Sequence, residues 1–106
     1  MNDNSRIEQL ETILAQDPGN QLALYALGME YSATGLTERA VATFARLIEL
    51  NPEYVNAYFM AAQALHGAEK ESEARDYLRR GIECARRNNV RHAEDEMQAL
   101  LDEIEG

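Results

Sequence analysis

The stretch that decides the fold begins at Leu24, ends at Pro52 and reads LYALGMEYSATGLTERAVATFARLIELNP. Apolar residues recur every three or four positions on both sides of Gly35, which is the period of an amphipathic α-helix. Glycine favours the left-handed backbone conformation in which many helices end. Asn51 precedes a proline and is therefore pushed out of the helical region. The stretch predicts two helices joined by a tight turn.

The same arrangement returns along the chain with a period of 34 residues. The pairs Asp17–Pro18 and Asn51–Pro52 are separated by this distance, and the next step places Leu78 on Phe44. Identity between the copies is low, but apolar character is kept at helical spacing. A fixed period of this size is the signature of a repeat architecture. We therefore expect helical repeats over most of the chain.

Helical periodicity predicts six helices and no strand, near residues 5–16, 21–34, 38–50, 53–65, 72–88 and 90–105. The expected fold class is all-α, with antiparallel helix-turn-helix repeats stacked as a solenoid between flanking capping helices. One domain covers residues 1–106. Its expected parts are a partial repeat or N-terminal helix at 5–18, repeat one at 21–54, repeat two at 55–88 and a C-terminal capping helix at 90–105. Capping helices are needed because each repeat exposes apolar surface that only a neighbour covers.

A set of large and small residues in repeat one resembles the tetratricopeptide repeat pattern. These residues are Leu24, Leu27, Gly28, Tyr31, Ala40, Phe44 and Pro52. Leu24 stands where the family usually has a bulky aromatic residue, and Gly28 and Ala40 are small where two helices would cross closely. Residues 55–88 resemble a weaker copy, in which Arg86 replaces the closing proline. We therefore expect the second helix of that copy to run longer.

Composition and charge exclude several functional classes. The chain has 19 acidic and 10 basic residues, a net charge of -9, which argues against binding nucleic acid or an anionic membrane. A single cysteine cannot form an internal disulfide or a cysteine zinc site. The sequence shows neither a secretory signal nor the run of about 18 apolar residues that a membrane span requires. We expect a soluble, cytoplasmic protein.

The residues that could support chemistry are few. His66 and His92 lie 26 positions apart without a metal-binding spacing, and Cys84 lies among apolar residues as a buried structural cysteine would. No glycine-rich phosphate loop is present, because the six glycines are scattered. We therefore expect no catalytic, cofactor-binding or metal-binding residue, and a protein that is not an enzyme.

Basic residues concentrate between Arg75 and Arg91, which contains six of the nine arginines. One reading of this strip is a site for anions or phosphate groups. The reading we favour is that the arginines neutralise the acidic last helix, because that helix supplies opposite charge nearby. Exposed ion pairs of this kind contribute about 0–1 kcal/mol each.

The resemblance implies that the first helix of each repeat lines a concave groove in which partners dock as peptides or helices. Helical spacing supplies the residues of that groove. They are Leu22, Tyr25, Met29, Ser32, Tyr54, Asn56, Phe59, Gln63 and His66. Aromatic and methionine side chains often anchor peptides. Some members of the family clamp a C-terminal carboxylate with lysine, arginine and asparagine side chains in the groove. We expect no such clamp here, because the positions that would need those groups are Leu22, Tyr25, Ala26 and Met29.

The expected partner is a protein or peptide with an apolar or amphipathic segment, and basic residues would be attracted by the charge of -9. The leading hypothesis is a non-catalytic protein–protein interaction module. An alternative is a self-associating structural subunit that uses the same groove as its homodimer interface. The sequence also leaves open whether a terminal helix covers the groove.

Overall fold

The computed structural model describes residues 4–106 and forms six α-helices there, with no strand in that range. The helices are α1 (Asn4–Gln16), α2 (Gln21–Ala33), α3 (Thr37–Leu50), α4 (Val55–Gly67), α5 (Glu71–Arg87) and α6 (Arg91–Glu105). The expected all-α repeat fold is confirmed. Helix α4 begins and ends two residues later than the periodicity suggests, because the turn after Pro52 continues to Tyr54.

Each helix packs on the next one along the chain, and α4 also packs on α2 and α6. Helices α2, α4 and α6 therefore form one layer, while α1, α3 and α5 form the other. Within the described residues, the helices of the second layer do not contact one another. The layer of α2, α4 and α6 is thus the more closely spaced one, so the stack curves toward it and is concave on that side. The molecule measures 39 × 28 × 19 Å.

Small residues allow the two layers to approach. A Cβ atom at Gly28 of α2 would lie 2.6 Å from the ring of Phe44 on α3. A Cβ atom at Gly81 of α5 would lie 2.5 Å from the sulfur of Met97 on α6. Ala40 is fully buried at the start of α3. The residues that the repeat pattern requires to be small are those at which helices touch.

The turns repeat as well as the helices. Gly35 ends the turn region after α2 with a φ of 79°, and Glu69, 34 residues later, has a φ of 61°. Helix α5 has 17 residues and α3 has 14, so the lengthening expected from Arg86 in place of proline is confirmed. Because α5 is longer, α6 starts later than a strict repeat would place it. Among residues 4–106, no helix is both long enough and apolar enough to cross a bilayer.

Candidate binding groove

Eight of the nine predicted groove residues lie in two rows on α2 and α4. The row on α2 is Leu22, Tyr25, Met29 and Ser32, and the row on α4 is Asn56, Phe59, Gln63 and His66. Within each helix, the spacing of three or four residues places the row on one face. The fully buried residues of both helices lie on other faces. We call the surface formed by α2, α4 and α6 on this side the concave face.

Two large apolar side chains of the concave face are open to solvent. Leu22 is 76% exposed and Met29 is 39% exposed. Helix α1 reaches α2 at Glu30 and Tyr31, which lie outside the row, and α6 contacts only α4 and α5. Within residues 4–106, no terminal helix therefore covers this part of α2.

Aromatic rings form a fixed floor beside these exposed side chains. Tyr25 stacks on Tyr54, with ring centroids 5.4 Å apart, and meets the ring of Phe44 edge-on at 6.1 Å. Burial, followed by the neighbouring Tyr54, raises the pKa of Tyr25 above its usual value. Phe59 is half-buried and packs against the core. Tyr25, Tyr54 and Phe59 are thus held by the fold, so they offer apolar area at little cost in side-chain entropy.

His66 connects three helices at the end of the row on α4. Its Nδ1 lies 3.0 Å and 3.1 Å from the two carboxylate oxygens of Glu71, which begins α5. Its Nε2 lies 3.2 Å from an oxygen of Glu103 on α6. The hydrogen bond to Glu71 is the main reason that the pKa of His66 is raised, and Glu103 adds to the effect against partial desolvation. A protonated ring satisfies both carboxylates, whereas a neutral ring donates to only one.

A third row of the concave face lies on α6, where the sequence pattern predicts no groove residue. The buried residues of α6 match those of α4 at a distance of 36 residues: Ala57 with Ala93, Ala61 with Met97, and Leu65 with Leu101. At that distance, the row on α4 corresponds to His92, Asp95, Ala99 and Asp102, all of which are exposed. A strict period of 34 residues does not align this row with the row on α4. Arg86 in place of proline indicates the shift in the sequence, because it lengthens α5 and so moves α6 along the chain.

The arginines near the C-terminus mainly serve the fold. Arg79 pairs with Glu105, and Arg86 pairs with Glu94, so two of them neutralise α6 as expected. Arg87 donates two hydrogen bonds to Glu53 in the turn before α4. Arg80 lies over the rings of Tyr58 and Tyr77, at 5.5 Å and 5.2 Å from their centroids. These four side chains already have partners within the chain, which argues against an anion-binding strip.

Cys84 is buried, as the sequence predicts, and its thiol donates to the carbonyl oxygen of Pro52 at 3.4 Å. Burial is the main cause that raises the pKa of this thiol. A protonated thiol without solvent contact is a poor nucleophile. Within residues 4–106, no three histidine, cysteine, aspartate or glutamate side chains are grouped so that they could hold a metal ion.

Comparison with known proteins agrees with the repeat architecture. A family model described as tetratricopeptide repeat matches residues 22–54. The chain is 40% identical, over 58 residues, to an uncharacterized protein of Methanocaldococcus jannaschii, and the match covers 55% of this chain and 67% of that protein.

Two solved structures are similar over most of their length. The solution structure of a tetratricopeptide repeat domain protein from Salinibacter ruber has a TM-score of 0.77 and 29% identity, covering 84% of this chain and 90% of that one. A solution structure of a protein from Bordetella parapertussis has a TM-score of 0.81 over 92% of this chain and 85% of that one. Its identity of 24% makes it a likeness of fold alone.

Proposed function

This chain belongs to the tetratricopeptide repeat family, whose domains generally bind protein partners, and we propose that it is a non-catalytic interaction module. In this proposal, the concave face binds a peptide or a helical segment of a partner protein. The proposed site of action is the cytoplasm, whose reducing conditions suit the unpaired thiol of Cys84.

The observation that carries the proposal is the exposure of Leu22 and Met29 on one face of α2. Covering apolar surface contributes about 25 cal/mol per Å², so a partner that shields both side chains gains binding energy. The stacked pair of Tyr25 and Tyr54 adjoins them as a preorganised surface. Aromatic side chains in such positions often contribute most of the affinity at an interface.

The chemistry of the face restricts the partner. Its exposed residues on α2 are mainly apolar, so the partner's segment must present apolar side chains to them. The net charge of -9 attracts segments that also carry basic residues and speeds their association at low salt. We therefore propose a partner segment that is amphipathic and basic.

A test begins with peptides selected from a random display library on the immobilised wild-type protein. The affinities of selected synthetic peptides are then measured by calorimetry for wild type, Leu22→Asp and Leu50→Asp. Leu50 is the matched control, because it is 49% exposed but lies at the end of α3, in the other layer. We expect Leu22→Asp to weaken binding at least tenfold and Leu50→Asp to leave it unchanged. Equal effects of the two variants would refute binding on the concave face.

The exposed apolar row also suits the alternative, a homodimer joined through the concave face. Two copies that each carry a charge of -9 repel one another, so a dimer of this kind would strengthen as salt is added. Sedimentation equilibrium at low and high salt measures this directly. A dimer that Leu22→Asp dissociates and Leu50→Asp does not would replace the partner-binding proposal.

A further inference from the structure

We infer that the concave face selects a segment of fixed charge polarity, with apolar side chains over α2 and α4 and lysine or arginine side chains over α6. This inference rests on the proposed function, because it concerns the same face. It specifies which part of the segment carries the positive charge and which carboxylates of this chain lie beside that charge.

The three rows of the concave face change in character from one end of the slab to the other. The row on α2 presents Leu22 and Met29 to solvent. The row on α4 is mixed, with the half-buried Phe59 among polar side chains. The row on α6 presents the carboxylates Asp95 and Asp102 together with His92 and Ala99, and no large apolar residue. A partner that lies across all three helices therefore contacts apolar surface on α2 and carboxylates on α6.

Asp95 and Asp102 differ from the other carboxylates of α6 in having no cation beside them. Glu94, Glu103 and Glu105 pair with Arg86, His66 and Arg79, and Glu96 lies 3.5 Å from His92. Within residues 4–106, neither aspartate forms an ion pair, and Asp102 accepts one hydrogen bond from Gln98. Arg79 and Arg86 thus pair with carboxylates on other faces of α6. The two aspartates on the concave face remain available to a partner.

The dimensions of the face set the length of the segment. Asp95 and Asp102 lie two helical turns apart, about 10 Å along α6 at a rise of about 1.5 Å per residue. Neighbouring helices lie about 8–10 Å apart, so α2 and α6 are separated by about 20 Å. An extended chain covers this distance with about six residues. The apolar and basic parts of the segment must therefore be adjacent blocks and not alternate.

Three synthetic peptides of identical composition test this polarity. Two carry a block of leucine and phenylalanine joined to a block of lysine, in the two possible orders, and the third alternates the same residues. We expect one block peptide to bind wild type at least fivefold more tightly than the alternating peptide does, because exposed ion pairs contribute up to about 1 kcal/mol each. Equal binding of all three peptides would overturn the inference.

Protein variants locate the contact on α6. Asp95→Asn with Asp102→Asn should reduce binding of the preferred block peptide about fivefold and weaken its dependence on salt. The control, Glu49→Gln with Glu83→Gln, removes the same charge from α3 and α5 and should leave both quantities unchanged. Equal effects of the two double variants would refute a local contact with α6.

The two proposals fail in distinguishable ways. If binding depends on Leu22 but not on Asp95 and Asp102, the charge polarity is wrong and the proposed function stands. If binding is insensitive to Leu22→Asp as well, the concave face is not the site and both proposals fall. A charge exchange gives the strongest support. Asp95→Lys should weaken binding of the lysine peptide, and the same variant should bind more tightly to a peptide in which glutamate replaces the lysines.

Discussion

The ring of Phe44 lies so close to Gly28 that a Cβ atom there would be 2.6 Å from the ring carbons Cε1 and Cζ. Phe44 has no exposed surface, and the densely packed core gives its ring no free space to move into. The crossing of α2 and α3 therefore depends on the absence of a side chain at Gly28.

A large side chain at this position should destabilise the fold. We expect Gly28→Leu to lower the free energy of unfolding by about 1–3 kcal/mol, as overpacked cores do. The control is Gly67→Ala at the end of α4, where a Cβ atom meets nothing within 4 Å. Alanine there should be neutral or stabilising by up to about 1 kcal/mol. Urea denaturation measures both changes, and an unaltered midpoint for Gly28→Leu would contradict the observed crossing.

The turn between α4 and α5 contains a residue in an unfavourable backbone conformation. Glu69 adopts a φ of 61° at the repeat position where Gly35 has a φ of 79°. Left-handed conformations cost residues with a side chain about 1–2 kcal/mol, so Glu69→Gly should stabilise the protein by about 1 kcal/mol. Glu83→Gly, the same substitution inside α5, should instead cost about 1 kcal/mol. Melting temperatures that move in the same direction for both variants would refute this explanation.

His66 should make stability depend on pH. Its pKa in the folded protein lies above the ordinary 6.5, chiefly because of the hydrogen bond to Glu71. The stabilising contribution is therefore fully present below pH 6.5 and is lost as pH rises through the folded pKa. When the pH is lowered from above neutral to about 6, the free energy of unfolding should increase more for wild type than for His66→Gln. Thermal melts across this range measure the difference.

The two carboxylates that face His66 should contribute unequally. Glu71 is the leading cause of the raised pKa and Glu103 a smaller one. An NMR titration of the His66 ring should therefore show a larger fall in pKa for Glu71→Gln than for Glu103→Gln. The reverse order would show that α6, and not the start of α5, holds the ring.

Cys84 should resist thiol reagents while the protein is folded. The side chain is buried, its thiol donates to Pro52, and burial raises its pKa. Labelling by an aromatic disulfide near neutral pH should be very slow in buffer and rapid after unfolding in denaturant. Complete labelling of the native protein within minutes would mean that α5 opens readily at this position.

The sequence predicts the fold well because the residues that determine it lie within one repeat of the chain. Gly28, Phe44 and Pro52 each have a physical role that their type and spacing reveal, and the six helices follow from a period that needs no tertiary information. The longer α5 also follows from one residue, Arg86. These features depend on backbone preference and on side-chain size.

The candidate site is predicted less completely because it depends on register between distant helices. The period of 34 assigns the rows on α2 and α4, but α6 follows a distance of 36 from α4, so Asp95 and Asp102 fall outside a strict repeat. The partners of His66 were also hidden. Nothing in the spacing of His66, Glu71 and Glu103 indicates that one ring lies between two carboxylates.

The position of α4 has a consequence for how the molecule opens. Helix α4 packs on α2, α3, α5 and α6, whereas α1 packs only on α2. In stacked repeats, unfolding spreads between neighbours, so the outer helices fray at lower free energy than the central ones. Amide hydrogens of α1 should therefore exchange with solvent fastest and those of α4 slowest. The middle of a ligand on the concave face would therefore contact α4, the helix that unfolds last. The end of the ligand that lies over α6 would contact a helix that frays more readily.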